Sequence, residues 1–291
     1  MLAQTVPMRA RAAVLAVLVG VVFTAGCGLR SDSAGESRRT PSAAPPVASA
    51  PGSLAPSPVV ARCGPPDAPA RTFAMRTTDG VQLAAVEAGN GGRGVVLIHE
   101  LGARGLCGWW DYAAYLSGRG FHVLLFDHRC TGESRCPVAG AGGNGLISDI
   151  EAAVGQLRAD GAAKIALLGG SQGASEAVIA ASAAPPGVVG VVALSADELT
   201  KQLADPPFPP TASAAAPKLR LPALFAVAAS DRYVSVADTR TLVASVGTSN
   251  RRLVELDAGA GHGWDLVAAG RSAPRPVFSD TVVGFLTDVT S

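Results

Sequence analysis

Apolar positions along the chain change their period several times, and each change predicts an element. Two alternating runs, "RTFAMR" and "VQLAAVEAG", flank the tight-turn signal Asp79-Gly80, so residues 71–89 predict a β-hairpin. "GVVLIHE" (94–100), "FHVLLFDHR" (121–129), "KIALLGG" (164–170), "VVGVVALSA" (188–196) and "PALFAVAASD" (222–231) are continuous apolar runs. Such runs suit parallel strands buried on both faces. "RRLVELDAG" (251–259) reads as the last strand. Between these runs apolar residues return at helical spacing, as at Trp109, Tyr112 and Leu116 in "WWDYAAYLSGRG". "LISDIEAAVGQLRADG", "SQGASEAVIAASAA", "TRTLVASVG" and "SDTVVGFLTDVT" supply the other helices. Strands alternating with helices predict an α/β fold, with a mostly parallel central sheet, helices on both faces and an N-terminal hairpin. Ligands of such sheets bind beyond the carboxyl ends of the strands.

The first 60 residues follow a different rule. "MRARAAVLAVLVGVVFTAGC" carries Arg9 and Arg11, then an apolar stretch from Ala12 to Ala25. That stretch is too short to span a bilayer and small residues follow it, so residues 1–26 read as an export signal. Its end, "FTAGC", resembles the lipobox of bacterial lipoproteins, with Ala25 and Gly26 before Cys27. The resemblance implies that Cys27 is lipidated and that the protein is exported and held to the outer face of the cell membrane. Ordinary signal cleavage, with Cys27 an incidental thiol, is the alternative. Residues 27–61 are rich in Pro, Ser and Ala, cannot bury a core and read as a disordered tether. Its r.m.s. reach is roughly 30 Å. Residues 62–291 have the composition and size of one α/β domain.

Charge and cysteines narrow the classes. A formal net charge of +1 leaves no basic footprint for nucleic acid. No His/Cys spacing of metal-site type appears, and no metal or cofactor is expected. Four cysteines remain beyond Cys27, and an even number outside the cytosol suggests two disulfides. Three connectivities are possible; the closeness of Cys130 and Cys136 favours that pair, leaving Cys63 with Cys107.

Candidate chemistry centres on Ser171. Glycine is 34 of 291 residues, so a bare G-x-S-x-G says little. Here, however, Ser171 in Gly169-Gly170-Ser171-Gln172-Gly173 directly follows a buried strand and opens a helix. That context resembles the nucleophile elbow of the α/β-hydrolase superfamily, serine esterases and dienelactone-hydrolase-like enzymes among them. The resemblance implies the α/β-hydrolase fold and the chain order serine, acid, histidine. Of four histidines only His262, in "DAGAGHGWD", follows Ser171. The acid is then Asp231, beyond the strand before last; Asp197 in "LSADE" is the runner-up, and Asp238 and Asp257 are worse placed. The alternative role for Asp231 is to cap the helix that follows. The family's oxyanion hole implies the N–H of Gln172 and that of Leu101 in "HELG" as donors. Glu100 stands where the family usually has glycine; dienelactone-hydrolase-like members carry a similar glutamate near the nucleophile, so Glu100 either tunes Ser171 or faces solvent. His99 reads as structural. "DHRCTGES" resembles the family's D-x-R-G-x-G-x-S segment, with Cys130 replacing a glycine.

Together these features imply a membrane-anchored serine hydrolase, EC 3.1.1-like, acting on a small-molecule ester of small or medium acyl groups. Only about 20 Pro- and Ala-rich residues separate "ALSADE" from "LRLPALF", which implies a minimal lid. The competing expectations are a peptidase or thioesterase of the same fold, and a non-catalytic lipoprotein that binds a ligand.

Overall fold

The computed structural model describes residues 57–137, 145–196, 211–268 and 274–291. Signal, Cys27 and nearly all of the tether lie outside the described residues, as do Asp197 and most of the stretch in which a lid would fall. Eight strands form one sheet: β1 (Ala70–Arg76), β2 (Gln82–Ala88), β3 (Arg93–Ile98), β4 (His122–Phe126), β5 (Lys164–Gly170), β6 (Val188–Leu194), β7 (Ala223–Ala228) and β8 (Arg251–Leu256). Their order is β1-β2-β4-β3-β5-β6-β7-β8. β1 and β2 pair antiparallel, β2 runs antiparallel to β4, and every pairing from β4 to β8 is parallel. This is the mostly parallel sheet that the alternation of strands and helices implied, and the α/β-hydrolase fold that the resemblance of the Ser171 segment implied.

Each central strand is apolar throughout because it feeds two cores. In β3, Val96 and Ile98 enter one cluster while Val95 and Leu97 enter the other. In β5, Ile165 and Leu167 alternate in the same way with Ala166 and Leu168. The first face is covered by α3 (Gly145–Ala159) and α4 (Gln172–Ser182), through Ile150, Leu157 and Val178. The second is covered by α2 (Trp110–Ser117) and the C-terminal helix Phe278–Thr290, through Tyr112, Leu116, Val282 and Leu286. A helix at Val236–Ser245 connects β7 to β8. Charged Arg251 and Arg252 lie exposed on the edge strand β8, where they discourage pairing with another chain.

One sequence expectation needs correction. The tether was expected to run to residue 61, but Pro58–Cys63 form a short helix, α1, capped by the Ser57 hydroxyl. The pattern missed it because only Val59 is buried, with Val60 and Cys63 packed partly buried against the core. The rest of its hold is charge and sulfur. Arg62 pairs with Asp127 and Glu133, and Cys63 is bonded to Cys107, with 5.2 Å between Cα atoms. The hairpin forms about Asp79-Gly80 as expected: Thr77–Val81 join β1 to β2, and the Gly80 N–H closes a turn on the Thr77 carbonyl at 3.0 Å. The Thr77 and Val81 amides each bond across it, Val81 to the Thr77 hydroxyl at 2.9 Å. The second disulfide, Cys130–Cys136, forms as the spacing favoured, with Cα atoms 4.4 Å apart.

Candidate active site

β5 ends at Gly170 and α4 begins at Gln172, so one residue, Ser171, makes the whole reversal. It adopts φ 52° and ψ −120°, a sparsely populated conformation for a residue with a side chain. The turn survives because its neighbours are bare. A Cβ on Gly169 would lie 2.0 Å from the Gly173 carbonyl oxygen, and one on Gly173 would lie 2.4 Å from that of Ile98. The Ser171 N–H donates to the Leu194 carbonyl at 2.8 Å, which pins the elbow to β6. Gln172, as the first residue of α4, has an amide that no intrahelical carbonyl can reach.

His262 and Asp231 meet, as the chain order implied. His262 Nδ1 lies 2.9 and 2.8 Å from the two Asp231 carboxylate oxygens. With Nδ1–H donated there, the other nitrogen, Nε2, is the basic one. Asp231 does not cap the next helix; Ser235 does. Instead its Oδ1 accepts from the amides of Tyr233 and Val234 at 2.9 and 3.2 Å. Burial acts to raise its pKa, but the Tyr233 amide, the Ser195 hydroxyl and His262 outweigh that and hold it below the ordinary carboxylate range.

Ser195 was not foreseen. It directly follows β6 at φ 54°, is fully buried, accepts the Gly263 N–H at 3.0 Å and bonds Asp231. One hydroxyl therefore ties the acid to the histidine's own loop. Its sequence signal was faint, a serine at a strand end two residues before a more conspicuous Asp.

The loop after β3 reaches the same place. Glu100 Oε1 accepts the Trp264 N–H at 2.6 Å, and a Cβ on Gly263 would lie 1.6 Å from that oxygen. A Cβ on Gly170 would lie 3.0 Å from both Glu100 Oε1 and the Trp264 nitrogen. Glu100 is thus wedged between the residue before Ser171 and the residue after His262, and is half-buried rather than turned to solvent. Burial raises its pKa to about 7; the Trp264 amide opposes this, and Asp265 and Asp231 reinforce it. His99 is neutral, with burial beside His128 lowering its pKa to about 3. Its Nδ1 meets the Glu100 carbonyl at 2.5 Å and its Nε2 accepts the His128 N–H at 3.0 Å. Because a trans peptide points C=O and N–H oppositely, this bond fixes which way the Leu101 N–H faces. Both His99 ring nitrogens are thus engaged with backbone.

Beneath the elbow lies a buried set of charges that the pattern did not reveal. Glu176, on α4, takes the Gln172 side-chain amide at 2.6 Å and approaches His128 Nε2 at 2.8 Å, an ion pair without hydrogen-bond alignment. His128 faces Asp149 at 3.6 Å, and Arg129 bridges Asp149 to Asp79 at 2.8 Å each. Burial would discharge His128, but Glu176 and Asp149 raise its pKa to about 10.

Comparison with known proteins fits this geometry. Residues 94–214 match the sequence profile of the alpha/beta hydrolase fold. No curated protein matches the sequence. Among solved structures, the chain is similar to an esterase from Pyrococcus furiosus, at 18% identity and TM-score 0.62, over 77% of this chain and 92% of that one. It is similar to a thermophilic esterase from Thermogutta terrifontis at 16% identity and TM-score 0.59, over 76% and 100%. A monoacylglycerol lipase from Paleococcus ferrophilus matches at 18% identity and TM-score 0.54, over 71% and 98%.

Proposed function

We propose that this chain, which belongs to the alpha/beta-hydrolase superfamily, is an exported serine esterase acting through an acyl-enzyme. The observation that carries this reading is the Asp231–His262 pair, built at strand ends on the sheet edge where β5 ends in a serine at φ 52°. Ser171 Oγ attacks the acyl carbon as His262 Nε2 takes its proton. Asp231 holds the imidazole in the tautomer that can accept it and steadies the imidazolium that results. The oxyanion develops against the N–H groups of Gln172 and Leu101. His262 then returns the proton to the alkoxide oxygen, and the alcohol departs. Water repeats the sequence on the acyl-enzyme, releasing the acid and restoring Ser171.

Two disulfides among the described residues fit an oxidising compartment. No described helix is long and apolar enough to cross a membrane; in this reading the membrane is reached through a lipid on Cys27. The decisive experiment is labelling with a fluorophosphonate, followed by peptide mapping. The label should map to Ser171. Ser171→Ala and His262→Ala should each lower hydrolysis of 1-naphthyl acetate by several orders of magnitude in folded protein. A folded Ser171→Ala variant with near-normal rates refutes the assignment. Failure of the native protein to label supports a binding lipoprotein instead.

A further inference from the structure

Among the described residues three large apolar side chains are strongly exposed: Leu101 at 57%, Tyr233 at 70% and Val277 at 86%. They are far apart in sequence, yet each stands near residues of the candidate site. Leu101 follows Glu100, which lies against Gly170 and Gly263. Val277 lines a cavity of about 530 Å³ together with Gly261 and Asp265 of the His262 loop. Tyr233 packs its ring on the His262 imidazole, centroid to centroid 4.7 Å at 59°.

Tyr233 is the informative one. Its backbone amide already serves Asp231, so the acid is held whatever side chain stands there. Its hydroxyl has no hydrogen-bond partner among the described residues, so the phenol oxygen explains nothing about the fold. What remains is a flat apolar surface, mostly in water and flush with the catalytic base. The direction of catalysis says what belongs on it. Asp231 occupies Nδ1, so His262 acts through Nε2, and the oxygen that receives its proton is the leaving alcohol's. That oxygen must come within about 3 Å of Nε2. The rest of the alcohol must therefore lie next to the imidazole, the ring against which Tyr233 packs.

Resting on the esterase reading, we infer that Tyr233 forms the leaving-group subsite and that the preferred substrates are esters of aromatic alcohols. An aryl group there stacks on the phenol ring and loses its own hydrated face. A short alkyl alcohol has no face to offer. Tyr233 touches the substrate by this inference but takes no proton, so its signature is in KM rather than kcat.

The test compares 1-naphthyl acetate with methyl acetate, which share the acyl group and differ only in the alcohol. The readout is the ratio of their kcat/KM values in the native protein, in Tyr233→Ala and in Tyr233→Phe. Tyr233→Ala should lower that ratio about tenfold, through a higher KM for the naphthyl ester. Tyr233→Phe should keep it, since the ring and not the hydroxyl makes the surface. Equal losses on both esters, carried by kcat, would mean that the ring only supports His262, and would overturn the inference. An unchanged ratio in Tyr233→Ala overturns it too, as does loss of the ratio in Tyr233→Phe. If the native protein hydrolyses neither ester and takes no fluorophosphonate, the esterase reading itself has failed, and this inference falls with it. If native activity is present and the ratio is indifferent to Tyr233, only this inference has failed.

Discussion

Replacing Glu100 with glutamine separates the cost of its charge from the value of its contact. The amide keeps the acceptor that holds the Trp264 N–H and keeps the shape that fits against Gly263. It removes only the ability to ionise. In the unfolded chain Glu100 loses its proton around pH 4.5, whereas in the fold it does so at about 7. The fold therefore favours the neutral acid. Below pH 4.5 both states hold the proton and no penalty exists. As pH rises from 4.5 to 7 the unfolded state gains by ionising and the folded state does not, so stability falls, and above 7 the loss is constant. Linkage puts the loss at roughly 2 kcal/mol at pH 6 and roughly 3 kcal/mol at pH 8. Glu100→Gln escapes it. The variant should match the native protein near pH 4.5 and exceed it by roughly 3 kcal/mol at pH 8, measured by urea unfolding at each pH. The difference between the two proteins is the quantity to read, because His128 adds its own pH dependence to both. Its raised pKa gives stability that is full below about 6.5 and lost as pH climbs through about 10. A native-to-variant gap that is the same at pH 4.5 and pH 8, or a variant less stable at pH 8, would refute the account of Glu100 as a wedged neutral acid.

Ser195→Ala removes the hydroxyl shared by Gly263 and Asp231 and leaves a buried N–H unpaired. It should cost about 1–3 kcal/mol in unfolding experiments and should lower kcat more than it raises KM; native kcat in a destabilised variant would limit Ser195 to the fold. Cys27→Ser should release the protein from the detergent phase or block its processing, whereas a water-soluble native protein carrying a free thiol at Cys27 would remove the lipid anchor from the proposal.

Legibility in the sequence followed the kind of force at work. The sheet was readable because β3, β5 and β7 have to be apolar on two faces, and a run such as "VVLI" or "ALFAVA" has few other uses. The meeting of Asp231 with His262 was readable because both follow strand ends in the order that the resemblance implied. The helix Pro58–Cys63 was not, because an ion pair and a disulfide hold it rather than an apolar stripe. Glu100 remained open between two roles because its burial depends on Gly263, 163 positions away, which no local pattern can report.

The charges beneath the elbow belong to that last class, and their arrangement explains why they can be buried at all. Removing a single charge from water costs several kcal/mol, and only close opposite charges and hydrogen bonds offset it. Glu176 alone on the apolar face of α4 would be such a cost. Beside it lies His128, held protonated, and beyond that Asp149, Arg129 and Asp79 alternate in sign out to the surface at the hairpin turn. Each member is tolerable because the next one is there, so the chain of pairs must form as a unit. Its inner end is the Gln172 side chain, whose own backbone N–H is one proposed oxyanion donor. A rigid donor is worth more than a mobile one, since it spends no energy reorienting as charge develops. The network therefore fixes the first turn of α4 from below while the bare glycines at 169 and 173 let Ile98 and β5 close on it from the side. The elbow is held by electrostatics on one flank and by close packing on the other.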